Sequence, residues 1–170
     1  MPLYFAYGSN MDHAAMAERC PASRPLGIAR LPRHRLFIAR EGYASVARDP
    51  RRTVWGVLWD LALADMSALD RYECLASRLY VKVSQPVLSQ RGPKRALIYV
   101  ARSTAPGLPR PGYVEAIVAA AEQAGLPAAY RKELAGYLPP SLARAAAEPD
   151  ETRKVRPRRS SPLRVEPDGL

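Results

Sequence analysis

The sequence has little cysteine and little histidine, two of each among 170 residues. Cys20 and Cys74 lie far apart without a Cys-x-x-Cys spacing, and His13 and His34 are also separated, so no zinc framework is recognisable. A Cys74 nucleophile served by either histidine is conceivable but has no flanking signature, and a free cysteine is more often a small buried hydrophobic residue. We therefore expect no metal site.

Long apolar runs are also absent, since no segment approaches the roughly 18 residues that a membrane-spanning helix needs. No Lys or Arg precedes Arg19, so the positive first region of a secretory signal is missing. The composition, 48% hydrophobic and 25% charged, is that of an ordinary globular domain. These features predict one cytoplasmic domain without membrane association.

Positive charge, in contrast, is abundant, with 26 Lys plus Arg against 16 Asp plus Glu and a net charge of +10. The excess is spread along the chain: −1 in residues 1–20, +6 in 21–52, +2 in 53–150 and +3 in 151–170. A strong basic excess often indicates nucleic acid as a partner, but no segment here is a dense basic block. We therefore do not expect nucleic acid to be the partner.

The apolar pattern predicts an α+β domain with a curled or barrel-like sheet and flanking helices. Short apolar runs separated by turn residues, among them an Asp49-Pro50 turn, predict strands at 3–7, 27–31, 35–39, 44–47, 53–59, 80–87 and 96–100. Helical spacing predicts a short helix capped by Asn10 or Asp12 and ending near Cys20, and further helices at 61–73, 112–124 and 127–137.

The C-terminal part has a different composition. No aromatic residue follows Tyr137, whereas prolines and arginines recur. We expect a folded domain over residues 1–138 and a Pro/Arg-rich, largely flexible extension over 139–170.

The loop Tyr7-Gly8-Ser9-Asn10-Met11 is a first candidate site. A strand that runs into a glycine turn and then into a helix directs several backbone N–H groups to one side, where a carboxylate or phosphate can bind. The loop lacks the glycines of a dinucleotide motif and the lysine of a Walker A loop. Taken alone, it is more typical of a strand-to-helix connection with a capping asparagine than of a binding loop.

Glu73, at the end of the predicted helix 61–73, is a second candidate. Beside Asp70 and Arg71, its position alone is typical of a solvated charged face. A carboxylate at a helix C-terminus is disfavoured by the dipole, and partial burial acts in the same direction, so both would raise the pKa of Glu73. A carboxylate of raised pKa can accept and return a proton near neutral pH.

Taken together, four segments of the sequence resemble the γ-glutamylcyclotransferase (AIG2-like) family. They are YFAYGSNM at 4–11, VWGVLW at 54–59, LDRYE at 69–73 and PGY at 111–113. They come in the family's order, and the resemblance extends over residues 3–135. It implies a small mixed β-barrel with flanking helices and a pocket for a γ-glutamyl group.

The resemblance also implies the site residues and the reaction. Glu73 would be the catalytic acid/base, and the substrate-binding residues would be Tyr4, Phe5, Ala6, Tyr7, Gly8, Ser9, Asn10, Tyr80 and Tyr113. For Tyr80, an aromatic residue at the start of a strand is an equal alternative. In the implied reaction the α-amine of a small γ-glutamyl substrate attacks its own γ-carbonyl and releases 5-oxoproline and an amine, without any cofactor.

Two departures from the family pattern leave the leaving group open. Cys74 stands where relatives often have glycine, and segment 40–45 is short and charged. γ-Glutamyl amino acids, γ-glutamyl amines such as an ε-lysine isopeptide, and a γ-glutamyl-protected biosynthetic intermediate all remain candidate substrates. A monomer is the default expectation, with a dimer possible.

A different class of function is also open. The chain could be a non-catalytic binding module of the same fold that attaches to nucleic acid or acidic partners. Its contacts would be Arg30, Arg33, Arg35, Arg51, Arg52 and the C-terminal extension.

Overall fold

The computed structural model describes residues 1–73 and 79–138. The strands of this part are β1 (Leu3–Ala6), β2 (Arg24–Ile38), β3 (Ala44–Asp60), β4 (Tyr80–Ser89) and β5 (Gly92–Ala101). Its α-helices are α1 (His13–Arg19), α2 (Leu63–Tyr72), α3 (Tyr113–Gln123) and α4 (Ala128–Ala135). The strands close into a barrel in the order β1-β3-β2-β4-β5, which confirms the predicted α+β class and barrel-like sheet. The predicted extension over 139–170 lies outside the described residues.

Strand β1 closes the barrel. It pairs antiparallel with β3, where Tyr4 faces Trp59, and parallel with β5, where Tyr4 faces Leu97. Its sequence is continuously apolar, as expected of a strand that is buried on both faces, and Phe5 is fully buried. The sheet is therefore mixed, with β1 against β5 as its parallel pair in the described part.

Strands β2 and β3 are longer than the sequence predicted. We expected four short strands at 27–31, 35–39, 44–47 and 53–59, but the structure has two strands of 15 and 17 residues, paired from one end to the other. The prediction of an Asp49-Pro50 turn between separate strands was wrong, because this dipeptide lies within β3.

An irregularity in the ladder explains that error. Pro32 pairs with Thr53 and His34 pairs with Arg48, so residues 49–52 lie opposite Arg33 alone. Arg33 has a φ of 59°, a left-handed conformation that is uncommon for an arginine. A proline that cannot donate to the ladder is tolerated at such a bulge, so Pro50 marks a bend in a strand and not its end.

The helices follow the predicted pattern. The N-terminus of α1 shows which of the two predicted residues caps this helix. Asp12 accepts hydrogen bonds from the N–H groups of Ala14 and Ala15, so Asp12 is the N-cap and Asn10 is not. Asn10 lies in a 3-10 turn (Ser9–Met11) between β1 and α1. Its buried side chain is therefore available for another role.

Helix α2 follows β3 after two residues and is anchored to the segment between α1 and β2. The buried carboxylate of Asp65 accepts hydrogen bonds from Ala22 N and Ser23 Oγ. Leu69 is fully buried, and the helix ends with Glu73 as its C-cap. This anchoring fixes where the end of α2, and with it Glu73, lies relative to β1.

A second contact fixes the loop between β2 and β3. Ala39 forms an isolated bridge with Pro106, and Gly107 N donates to Ile38 O. A Cβ on residue 107 would lie 2.6 Å from Ala39 O, so only glycine permits this approach. Residues 39–43 and the segment leading to α3 are thereby held together.

Helices α3 and α4 contribute Val114, Ile117, Tyr130 and Leu134 to the hydrophobic core. Within residues 1–73 and 79–138, no helix has the length and apolar character required to cross a membrane.

Candidate active site

A pocket forms where the segment after β1, the end of α2 and the first residues of β3, β4 and α3 meet. Its lining is Tyr4, Tyr7, Gly8, Ser9, Asn10, Tyr43, Ala44, Tyr72, Glu73, Leu79, Tyr80, Tyr99 and Tyr113. Seven of the nine tyrosines in the chain are in this set. Glu73 carries the one carboxyl group among these lining residues.

Glu73 is held by two neighbours from the first ten residues. Asn10 Nδ2 donates to Glu73 Oε1 at 2.8 Å, and Tyr4 Oη donates to the same oxygen at 3.3 Å. Asn10 Nδ2 also lies 3.0 Å from Tyr4 Oη, so the three groups form one connected cluster. The carboxylate is thus fixed in orientation before any substrate enters.

Burial raises the pKa of Glu73 from 4.5 to about 7, against the lowering effects of the Tyr4 hydrogen bond, the Arg19 charge and the Asn10 hydrogen bond. The direction is the one predicted from the sequence. At neutral pH both the charged and the protonated forms are populated. A group in this state can take a proton from one atom and return it to another.

Tyr80 and Tyr113 hold the backbone at the start of β3. Tyr80 Oη donates to Ala44 O at 3.0 Å, and Ala44 N donates to Tyr113 Oη at 3.1 Å. Burial raises the pKa of both phenols, so both remain neutral near pH 7. Because Tyr113 Oη accepts from Ala44, its own proton can be donated into the pocket.

Tyr7 Oη donates to the backbone oxygen of Tyr99. The Tyr99 hydroxyl in turn donates to Asp70 Oδ1 at 2.5 Å, and Lys82 Nζ lies 2.8 Å from the same oxygen. These contacts tie the segment after β1 to β5, α2 and β4. Tyr7 and Tyr99 are therefore rigid parts of the pocket wall.

Most of the residues predicted for the site lie together in the pocket lining: Tyr4, Tyr7, Gly8, Ser9, Asn10, Glu73, Tyr80 and Tyr113. The lining does not include Phe5 and Ala6, which are fully buried in the core. Both pack against Gly56 of β3, where a Cβ would lie 2.1 Å from Ala6 O and 3.0 Å from Phe5 Cε2. In the structure these two residues join β1 to β3, and their contact with substrate stays a prediction.

Five residues of the lining were not predicted from the sequence: Tyr43, Ala44, Tyr72, Leu79 and Tyr99. Tyr72 directly precedes Glu73 in the LDRYE segment, so it was within reach of the motif. The others come from two connecting segments and two strands, and no local spacing marks them. The concentration of tyrosine in a chain with only two phenylalanines is the remaining signal.

The cysteines and histidines do not form a second site in the described residues. The Cys20 thiol is buried and faces Asp65 O at 3.9 Å. His13 packs edge-on against Trp59, and His34 Nδ1 lies 2.9 Å from Pro32 O. Cys74 lies outside the described residues. In residues 1–73 and 79–138 no three His, Cys, Asp or Glu side chains are grouped to hold a metal ion.

The arginines of the binding-module hypothesis, Arg30, Arg33, Arg35, Arg51 and Arg52, are exposed on β2 and β3, away from the pocket lining. Arg30 packs over Trp55, with 5.7 Å from Cζ to the ring centroid. Arg52 pairs with Glu133 of α4 at 3.3 Å. Nucleic-acid binding by this surface stays a prediction.

The chain is similar in sequence to known proteins of one family. Residues 53–134 match the model of the AIG2-like family. A gamma-glutamylcyclotransferase of Homo sapiens is 30% identical over 150 residues, covering 81% of this chain and 79% of that protein. The one of Bos taurus is 31% identical over 145 residues, covering 78% and 76%.

Among solved structures, a gamma-glutamyl cyclotransferase superposes with a TM-score of 0.76 at 28% sequence identity. The superposition covers 81% of this chain and 88% of that one. The segments 54–59, 69–73 and 111–113 all fall inside the family match.

Proposed function

Because the chain belongs to the γ-glutamylcyclotransferase family and is an enzyme of that type, we propose that it releases 5-oxoproline from a small γ-glutamyl substrate by intramolecular aminolysis. The observation that carries the proposal is the partly buried carboxylate of Glu73, which lines the pocket and whose pKa is raised to about 7. No redox or group-carrying cofactor enters the proposed reaction.

Glu73 is proposed as the group that moves protons. The α-ammonium of the substrate must lose a proton before its nitrogen can attack the γ-carbonyl carbon. As the new C–N bond closes the five-membered ring, the nitrogen loses a second proton, and the C–N bond to the leaving amine breaks. Both protons end on the leaving amine, and a carboxylate with a pKa near 7 can carry each in turn.

The segment after β1 is proposed to hold the α-carboxylate of the substrate on backbone N–H groups of residues 8–10. Gly8 keeps this position open, because a Cβ there would lie 3.1 Å from Tyr113 Oη. Binding of the α-carboxylate there folds the substrate so that amine and carbonyl meet, which removes much of the entropic barrier to ring closure.

The pocket tyrosines are proposed to act as neutral hydrogen-bond donors. The Tyr113 hydroxyl, oriented by Ala44 N, can donate to the carbonyl oxygen as negative charge develops there. Tyr4 already donates to Glu73 and supports its charged form. Tyr80 is proposed as a further wall of the glutamyl site.

The test is direct measurement of 5-oxoproline by mass spectrometry. The purified protein is incubated with γ-glutamyl amino acids, γ-glutamyl amines including an ε-lysine isopeptide, and γ-glutamyl-protected amines. We expect release from at least one class, and loss of about a thousandfold or more in kcat for Glu73→Gln. Glu18→Gln, an exposed change on α1, is the matched control and should retain wild-type activity.

Two outcomes would contradict the proposal. If the folded wild-type protein releases no 5-oxoproline from any substrate class, the proposed reaction is wrong. If Glu73→Gln and Glu18→Gln both turn over at the wild-type rate, the reaction stands but Glu73 is not its acid/base.

A further inference from the structure

We propose that Arg19, which lies outside the pocket lining, is a positioning residue that orients the Asn10 side chain and through it the catalytic carboxylate of Glu73. The inference rests on the proposed role of Glu73. It adds a residue from α1 to a site whose lining comes from other elements of the fold.

The first step of the argument is the two-ended hydrogen bonding of the Asn10 amide. Arg19 Nη1 donates to Asn10 Oδ1. At the other end, Asn10 Nδ2 donates to Glu73 Oε1 at 2.8 Å and lies 3.0 Å from Tyr4 Oη. One side chain therefore links a guanidinium on one side to the carboxylate on the other.

The second step is that an amide can adopt two orientations, and only one of them is productive. Rotation by about 180° would place the amide oxygen against the carboxylate of Glu73, where two acceptors would face each other. A guanidinium has hydrogen-bond donors and no acceptor. Arg19 can therefore bond to the Asn10 amide only when Oδ1 of that amide faces it. The NH₂ group of Asn10 is thereby directed to Glu73.

The third step is that Arg19 is itself fixed. Its Cζ lies 3.4 Å from the centroid of the Tyr72 ring, a stacked cation–π contact. Tyr72 immediately precedes Glu73, and its hydroxyl lies 3.0 Å from Ser9 Oγ. The guanidinium thus joins the last turn of α1 to the last turn of α2, and a lysine could not reproduce both the stacking and the directed donor.

The charge of Arg19 also favours the ionised form of Glu73. Burial raises the pKa of Glu73, and the positive charge of Arg19 opposes that rise. The other titratable groups coupled to this carboxyl are the phenols of Tyr4, Tyr7, Tyr80, Tyr99 and Tyr113, which burial keeps neutral. Among the interactions that set the pKa of Glu73, the Arg19 contribution is the one from a full charge.

The experiment compares Arg19→Met and Arg19→Lys with Arg30→Met. Arg30 also packs on an aromatic ring, that of Trp55, but lies away from the pocket, so it controls for loss of a cation–π contact. Rates of 5-oxoproline release are measured from about pH 5 to about pH 9, and the pKa of Glu73 is followed by carboxyl ¹³C NMR.

For Arg19→Met we expect kcat to fall about tenfold or more while KM changes less than about threefold. The acid limb of the profile and the NMR pKa of Glu73 should both move to higher pH by roughly half a unit to one unit. Arg19→Lys should restore the pKa but not kcat, because it supplies the charge without the planar fork. Arg30→Met should match the wild type.

An Arg19→Met protein that keeps the wild-type kcat and the wild-type pKa of Glu73 would overturn the proposal. So would full rescue of kcat by Arg19→Lys, because the orienting fork would then be unnecessary. The NMR pKa needs no turnover, so a failure of the proposed reaction and a failure of the positioning role give different results.

Discussion

Asn10 and Glu73 are 63 residues apart in the chain, yet Asn10 Nδ2 donates to Glu73 Oε1 at 2.8 Å. Asn10 is almost fully buried and Glu73 is partly buried, so this contact is partly shielded from water. The short turn after β1 and the end of α2 are joined through it, and the Glu73 carboxylate receives a hydrogen bond from a neutral donor at Oε1. Several expectations depend on that arrangement.

Replacement of Asn10 by aspartate should abolish catalysis. Asn10→Asp would place a second carboxyl group within hydrogen-bond distance of Glu73, and two buried carboxylates at this distance cannot both ionise. We expect kcat/KM to fall by about a hundredfold or more at pH 7, and the acid limb of the pH profile to move upward. A profile that coincides with the wild type would show that the Asn10 amide does not face the reacting carboxylate.

Glu73 should lower the stability of the protein above neutral pH. Its pKa is about 7 in the folded protein against 4.5 ordinarily, so between these values the folded protein holds a proton that the unfolded chain has released. The free energy of unfolding therefore falls as the pH rises from about 4.5 to about 7, by up to about 3 kcal/mol from this group.

Glu73→Gln should accordingly be more stable than the wild type at pH 8, by about 1–3 kcal/mol, and similar to it at pH 4.5. Urea unfolding at the two pH values measures the difference. Glu18→Gln, whose side chain is exposed, should show no such pH-dependent gain. Equal stability of wild type and Glu73→Gln at both pH values would contradict the raised pKa.

Gly8→Ala should impair substrate binding and leave the fold intact. The added Cβ would lie 3.1 Å from Tyr113 Oη and 3.9 Å from Ala44 Cβ, so it takes up space between the turn and the tyrosine. We expect KM to rise about tenfold while the unfolding free energy changes by less than about 1 kcal/mol. Steady-state kinetics and urea unfolding separate the two effects; an unchanged KM would place the substrate elsewhere in the pocket.

Gly56→Ala, in contrast, should lower the stability of the fold. Its Cβ would lie 2.1 Å from Ala6 O, a backbone atom of the strand paired with β3, and backbone cannot move aside without breaking that pairing. We expect destabilisation of more than about 3 kcal/mol, seen as loss of soluble protein or a large fall in Tm. Near-wild-type stability would mean that β1 can move away from β3.

Local pattern was sufficient to predict the class of fold, and the resemblance to the γ-glutamylcyclotransferase family implied most of the residues that line the pocket. Apolar runs predicted β1 and β4 closely and the second half of β5, and helical spacing placed Glu73 at the end of α2. The length of β2 and β3 could not be read, because Pro50 is a turn residue in a local pattern and becomes part of a strand only opposite Arg33.

Which residues of β1 line the pocket and which pack in the core could not be predicted from the sequence either. Alternation places neighbouring side chains on opposite faces, but it does not say which face meets a cavity and which meets the core. Phe5 and Ala6 turned out to pack against Gly56, a residue that is remote in sequence. Arg19 shows the same limit, because a basic residue in the last turn of a short helix is expected on general grounds and its contact with Asn10 depends on tertiary packing.

The parallel pairing of Tyr4 with Leu97 affects the order in which the parts of the barrel fold. β1, which contributes Tyr4 to the pocket, is synthesised before the other strands of the barrel, and Leu97, its partner in β5, follows Tyr4 by 93 positions. Closing so long a loop is slow, so the barrel should close late in folding. No partial chain ending before β5 can contain a complete pocket, and 5-oxoproline release during refolding should therefore report the final assembly step.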